Sequence, residues 1–268
     1  MPFLKREHRT RVYYEVHGEG TPLILTHGFS STSAMWRGQI EDFTKAGYKV
    51  ITWDMRGHGR STYPDDQAVY SEAHTIDDMA AILDQVCGTG SSAIVGGLSL
   101  GGYMSLAFYR KYPQRVEALL IIDTGPGFKS DAAREAWNKD AQNTAAKFER
   151  DGLKSLQSAS AERSQVSHRN AEGLAMAARG MLAQRNNSVI MSLPSIKVPS
   201  LVVVGADDKP FLAASDYMQK KIPGCKKVVI PNAGHAANID QPERFNEAVL
   251  SFLASIRNDT SKDGRSKL

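Results

Sequence analysis

The 268-residue chain predicts an α/β fold: a mostly parallel sheet, helices on both faces and one helical insertion. Three observations carry this. Short apolar runs alternate with helical stretches, which favours parallel strands joined by right-handed crossovers. One strand–turn–helix junction holds Gly97-Leu98-Ser99-Leu100-Gly101, a spacing that sets a serine on a sharp turn with small residues two before and two after. The alternation breaks once, between Gly125 and Ile196, where no strand is legible.

Thr10-Arg11-Val12-Tyr13-Tyr14-Glu15-Val16 alternates and is rich in β-branched and aromatic residues, so it reads as an early strand. Pro22 to Thr26 and Tyr48 to Trp53 read as the second and third, with a helix from Ser33 to Ala46 between them, spaced by Met35, Ile40 and Phe43. His74 to Val86 predicts a helix with Thr75 as N-cap, Asp77 and Asp78 in the first turn, and Gly88 just past the end. Ser92 to Gly96 is the strand entering the glycine-rich turn, and Gly102 to Tyr109 the helix leaving it. Val116 to Ile122, Ser200 to Val204 (opened by Pro199) and Lys227 to Ile230 complete the strands, and a helix from Pro242 to Ile256 closes the fold. The continuous apolar character of Val116 to Ile122 predicts a strand covered on both faces.

The insertion reads as two to four helices, with Trp137, Phe148, Leu153, Leu156, Met176 and Met181 at roughly helical intervals, a stripe expected mostly to be packing. The organisation is therefore a core of residues 1–124 and 197–256, a helical insertion of 125–196, and a polar tail of 257–268 expected to be disordered.

Hydrophobic residues are 41% and charged residues 23% of the chain, the balance of a soluble globular protein. The net charge of +4 is partly terminal: Lys5, Arg6, Arg9 and Arg11 at one end, Arg257, Lys262, Arg265 and Lys267 at the other. No basic stripe interleaves with aromatics, which argues against nucleic acid, and no run reaches the length of a membrane span. Two cysteines, Cys87 and Cys225, sit beside apolar segments and read as buried free thiols suited to a reducing, cytoplasmic setting. The final Ser266-Lys267-Leu268 matches a peroxisomal address, which has meaning only in a eukaryotic source.

A serine hydroxyl is a weak nucleophile until a base takes its proton, and that base needs a carboxylate to orient it. His235, in Pro231-Asn232-Ala233-Gly234-His235, follows the last strand, at the sheet edge where open parallel sheets bind ligands. The acid is Asp207 or Asp208, just past the strand ending at Val204, with Asp123 a third candidate whose type and position also suit a turn cap. An oxyanion needs positioned N–H donors. The backbone of Leu100 supplies one, and Phe29, in His27-Gly28-Phe29, the other; His27 itself reads as a structural brace.

Together, His27-Gly28-Phe29, Asp54-Met55-Arg56-Gly57-His58-Gly59-Arg60-Ser61, Gly97-Leu98-Ser99-Leu100-Gly101-Gly102, Gly205-Ala206-Asp207-Asp208 and Gly234-His235 resemble the α/β-hydrolase superfamily, from about Val12 to Ile256, with the insertion as its cap domain. The resemblance is strongest to small single-cap enzymes: carboxylesterases, enol-lactonases of the 3-oxoadipate type, cofactor-free haloperoxidases and carbon–carbon bond hydrolases. It implies Asp208 as the acid, because the family's acid sits three residues after the strand-end glycine. It also implies a structural role for Asp54, Arg56 and His58. Ser99 sets the chain apart from the dehalogenase and epoxide hydrolase branches, which use aspartate there. The implied chemistry is acyl transfer on a small-molecule ester or lactone by Ser99, His235 and Asp208, with no metal or organic cofactor. Two alternatives use the same residues: carbon–carbon hydrolysis or a lyase step on a charged substrate met by Arg134, Arg163, Arg169, Arg179 or Arg185, and ligand sensing with little turnover.

Overall fold

Alternate residues of a strand face opposite sides of its sheet, so a strand apolar at every position needs cover on both. The computed structural model describes residues 2–7, 9–158, 163 and 166–265. Among these the strands are β1 Phe3–Lys5, β2 Arg11–His17, β3 Thr21–Thr26, β4 Tyr48–Trp53, β5 Ala93–Leu98, β6 Val116–Ile122, β7 Ser200–Gly205 and β8 Lys226–Ile230. They form one sheet in the order β1-β2-β4-β3-β5-β6-β7-β8. The β1–β2 and β2–β4 pairs are antiparallel and all the others parallel. β3 and β6 show the two-sided burial directly. Leu23, Leu25, Leu120 and Ile122 join one core, whereas Ile24, Leu119 and Ile121 join the other.

Helices α1 (Arg37–Lys45) and α9 (Pro242–Arg265) cover the first face, through Phe43, Phe245, Val249 and Leu253. Helices α2 (Glu72–Cys87), α3 (Leu100–Lys111) and α7 (Lys209–Lys221) cover the second, through Leu83, Met104, Phe108 and Met218. Between β6 and β7 the described chain forms α4 (Asp131–Asp151), a 3-10 stretch at Gly152–Ser158, α5 (Ala171–Ala177), a π-turn at Ala178–Leu182 and α6 (Ser188–Ser192). These elements have a small core of their own, built on Ala145, Phe148, Leu174, Ala175 and Ala178. A short helix, α8 (Ala237–Asp240), follows β8. No described helix is long and apolar enough to cross a membrane.

Three sequence expectations are corrected. Helix α2 starts at Glu72, because Ser71 is extended and its hydroxyl accepts the His74 N–H at 3.2 Å. Thr75 instead donates its hydroxyl to the Ser71 carbonyl at 2.8 Å, inside the first turn. The strand β1 was not visible in three residues that carry no pattern. The polar tail expected from residue 257 is helical as far as Arg265. Polarity alone does not end a helix, and after Pro242 the chain has no further proline and no glycine before Gly264. Arg257 also ties this helix to the core: its guanidinium lies 4.1 Å over the Tyr48 ring and donates to the Ala46 carbonyl. Arg6, also counted as terminal charge, donates to Asp78 at 2.8 Å. Ser266-Lys267-Leu268 lies outside the described residues.

Candidate active site

Strand β5 ends at Leu98 and α3 begins at Leu100, so Ser99 alone makes the turn, at φ 56° and ψ −118°. A residue with a Cβ is strained there and persists only where its surroundings over-determine it. Two glycines make the turn possible. A Cβ on Gly97 would lie 2.4 Å from the Gly101 carbonyl, and one on Gly101 would lie 2.1 Å from the Thr26 carbonyl oxygen. The backbones of β3, β5 and α3 therefore touch where any side chain would separate them.

Ser99 Oγ lies 2.9 Å from His235 Nε2, and His235 Nδ1 lies 2.9 Å from Asp208 Oδ2. An ionised carboxylate only accepts, so Nδ1–H donates to Asp208 and Nε2 is left to accept from the serine hydroxyl. Asp208 is 4% exposed and the His235 side chain 40%, so the pair is anchored from behind and open in front. Phe211, in the first turn of α7, stacks on the imidazole with centroids 5.0 Å apart and an interplanar angle of 27°. Asp207 points elsewhere: it is exposed, and its N–H donates to the Ala233 carbonyl.

Asp123 sits at φ 43° just past β6, fully buried. Its two oxygens accept the Gly205 N–H at 2.8 Å and the Ala237 N–H at 3.0 Å. It therefore fastens the strand end that carries Asp208 to the helix that follows His235. Burial pushes its pKa up to about 7, against the pull of those two hydrogen bonds and of His235. It makes no hydrogen bond to the imidazole among the described contacts; it is a brace.

The loop after β3 passes close to Ser99, for a Cβ on Gly28 would sit 3.4 Å from the Ser99 Cβ. Three buried histidines hold this loop. Met55 N–H donates to His27 Nε2 at 3.0 Å, so His27 Nδ1–H donates to the Gly28 carbonyl at 2.7 Å. Ser30 N–H donates to His58 Nε2, leaving His58 Nδ1–H for the Arg56 carbonyl. Gly59 N–H donates to His168 Nδ1, leaving His168 Nε2–H for the Ser30 carbonyl. Ser30 is itself left-handed at φ 57°, and its N–H and carbonyl are both held by imidazoles. The rings of His58 and His168 meet edge-on at 5.8 Å, and Phe29 lies between His58 and Phe148 of α4. His168, in the insertion, was not visible as a functional residue; no spacing in the sequence links it to residue 30. Asp54 completes the frame by accepting the Ser33 and Arg60 N–H groups. Arg56 is paired through two bonds with buried Asp78.

Each imidazole nitrogen in this trio donates or accepts once, an arrangement that fits only the neutral ring. Burial accordingly lowers all three pKa values from 6.5, His27 to about 4. Below about 6.5 the unfolded chain takes up protons that the folded one refuses, so stability present above that pH drains away as pH falls toward 4. Asp123 acts oppositely: its raised folded value adds stability as pH falls from about 7 toward 3.8. Three histidines against one carboxyl leave acidification destabilising. The expected result is a Tm that falls steadily between pH 6.5 and 4, and a His168→Ala variant with a lower Tm at pH 7.5 but a shallower fall. Parallel curves would show that His168 carries no share of the slope.

Two cavities meet at Ser99. One, of about 190 Å³, is walled by Tyr103, Phe128, Trp137, Leu182, Phe211 and Gln184. The other, of about 660 Å³, runs past Phe29, His235, Phe148, Leu156, Lys147 and Arg163. Trp137, Phe148 and Leu156 thus line cavities, and Phe148 and Leu156 pack in the insertion's own core as well: a helix that roofs a pocket shows the same stripe as one that covers a core. Of the insertion's arginines named above, Arg163 lines a cavity, whereas Arg179 forms a paired contact with Glu149 at 2.6 Å and Arg169 donates to the Arg60 carbonyl.

A family profile described as alpha/beta hydrolase fold matches residues 21–242. A protein of Bacillus subtilis (strain 168), provisionally named 2-succinyl-6-hydroxy-2,4-cyclohexadiene-1-carboxylate synthase, is 30% identical over 91% of this chain and 96% of its own. The 3-oxoadipate enol-lactonase 1 of Acinetobacter baylyi is 25% identical over 88% of this chain and 89% of its own. Among solved structures, a thermophilic esterase from Thermogutta terrifontis superposes with a TM-score of 0.81 at 29% identity, covering 96% of this chain and 99% of that one. With a profile spanning most of its length, relatives of matching extent and an eight-stranded sheet of the same architecture, the chain belongs to the α/β-hydrolase fold family, and its relatives support a hydrolase activity.

Proposed function

We propose that the protein is a serine hydrolase that cleaves carboxylic esters or lactones through an acyl-enzyme on Ser99. The observation that carries this is the unbroken hydrogen-bonded series Ser99–His235–Asp208 at the mouth of two cavities. In this reading His235 takes the hydroxyl proton as Ser99 Oγ attacks the carbonyl carbon, and Asp208 stabilises the imidazolium. The N–H groups of Leu100, at the positive end of α3, and of Phe29 hold the oxyanion. His235 then gives its proton to the leaving alkoxide. A water deprotonated by His235 attacks the acyl-enzyme, releasing the acid and restoring Ser99. Residues 1–124 and 197–256 form the catalytic core, and 125–196 the cap that roofs both cavities.

The names of the esterase and the enol-lactonase among its relatives agree with this reading. The test is an initial-rate panel of p-nitrophenyl esters from acetate to palmitate, with simple lactones alongside. The smaller cavity holds only a short chain, so kcat/KM is expected to peak at two to four carbons, on the order of 10-fold or more above octanoate, because overfilling a packed site is unfavourable. Absence of turnover on the whole panel sinks the proposal. A second reading, bond cleavage or a lyase step on an anionic substrate, draws on the name of the Bacillus subtilis relative and on Lys147 and Arg163 in the larger cavity. It requires activity on a charged dienoic ketone that is lost in Lys147→Ala while ester turnover is kept.

A further inference from the structure

The smaller cavity is lined mostly by apolar groups, and its polar side chains other than Gln184 have partners, Ser99 in His235. Its aromatic walls have their polar atoms already engaged: Tyr103 donates its hydroxyl to Glu72 at 2.9 Å, and Trp137 donates Nε1–H to the Leu182 carbonyl at 2.8 Å. Thr124 donates to the Ser99 carbonyl at 2.7 Å. Gln184 differs. It is 7% exposed, lines the cavity, and its Oε1 is buried with no hydrogen-bond partner among the described residues. Its backbone is held at both ends by Asn138, which accepts its N–H at 2.7 Å and donates to its carbonyl at 2.8 Å. Gly127 makes room for the amide, since a Cβ there would lie 2.7 Å from Oε1.

A buried amide without a partner is costly, and a polar side chain fixed in an apolar wall calls for a ligand group to meet it. A substrate that fills the cavity with no polar atom beside the side-chain amide leaves that amide unsatisfied. We propose that Gln184 is a specificity-determining residue that selects esters whose short acyl group carries a hydroxyl. A hydroxyl both donates and accepts, so it satisfies the amide in either orientation. A carboxylate would meet only the NH₂ end and would bring a charge among aromatic walls with no cation to pair it.

This rests on the acyl-transfer reading in one respect. The larger cavity is lined by His235, which must protonate the leaving alkoxide, so the alcohol lies there and the acyl chain lies against Gln184.

The test compares p-nitrophenyl 3-hydroxybutyrate with p-nitrophenyl butyrate, each rate corrected for the ester's own alkaline hydrolysis. The native protein is expected to favour the hydroxyacyl ester in kcat/KM by about 10-fold or more, and Gln184→Leu to bring that ratio to one or below, chiefly by gaining on the butyrate. A native preference for the plain ester, or an equal ratio in both proteins, overturns the proposal. Because the native ratio alone is decisive, a Gln184→Leu chain that fails to fold does not shelter it. Equilibrium binding of methyl 3-hydroxybutyrate against methyl butyrate to Ser99→Ala separates the two readings. Tighter binding of the hydroxy ester without turnover in the native protein removes the acyl-enzyme and keeps the subsite. Turnover with equal binding and equal rates removes the subsite and keeps the acyl-enzyme.

Discussion

Ser99→Ala is expected to lower kcat on a short p-nitrophenyl ester by a factor on the order of 10^6 under the proposed acyl-enzyme mechanism, because the residues of a triad act as a unit. KM is expected to move far less, since the cavity walls are untouched. Stability separates chemistry from folding here. Alanine keeps the Cβ, so the left-handed strain at φ 56° stays and only an Oγ hydrogen bond to a half-exposed imidazole is lost. The Tm of Ser99→Ala should therefore lie close to that of the native protein. Ser99→Gly relieves the strain, and about 1 kcal/mol of relief corresponds to a rise of about 2–4 °C in a domain of this size. The informative pattern is two equally inactive variants with different melting temperatures. Wild-type turnover in either one would remove Ser99 from the chemistry.

Much of this was legible in the sequence because the constraints are local. Gly97 and Gly101 are forced by backbone contacts that no side chain survives, so the turn announces itself in five residues. The apolar runs of β3, β6 and β7 reflect two-sided burial, which a sequence displays residue by residue. What was not legible depends on residues that meet only in space. His168 clamps Ser30 across more than a hundred residues, and Gln184 lines the same cavity as Ser99 with its backbone held by Asn138. A helical stripe records that one face is apolar, not whether that face covers side chains or a void. Trp137 illustrates this, with its indole N–H satisfied by Leu182 and its ring lining both cavities. Asp123 shows a third limit. A carboxylate at a strand end has the same sequence signature whether it orients an imidazole or braces two loops, and only its two backbone partners decide.

Asp208→Asn is the sharper test of how the site works, with an expected loss in kcat on the order of 10^4. In the proposed mechanism the amide removes the charge that stabilises the imidazolium. It also presents an N–H to His235 Nδ1, which favours the tautomer that carries its proton on Nε2 and cannot accept one from Ser99. Asp123 is the neighbouring carboxyl, but both its oxygens are held by the Gly205 and Ala237 N–H groups, so it cannot turn toward the ring without freeing two buried donors. Asp207→Asn serves as the control. That side chain is exposed and makes no hydrogen bond to His235 among the described residues, so its effect on kcat should stay within about 2-fold, as for other surface changes away from a site. A large loss in Asp207→Asn with a small one in Asp208→Asn would reverse the assignment of the acid. Comparable small losses in both would mean that His235 is oriented without a carboxylate, which its 2.9 Å contact with a 4% exposed Asp208 argues against.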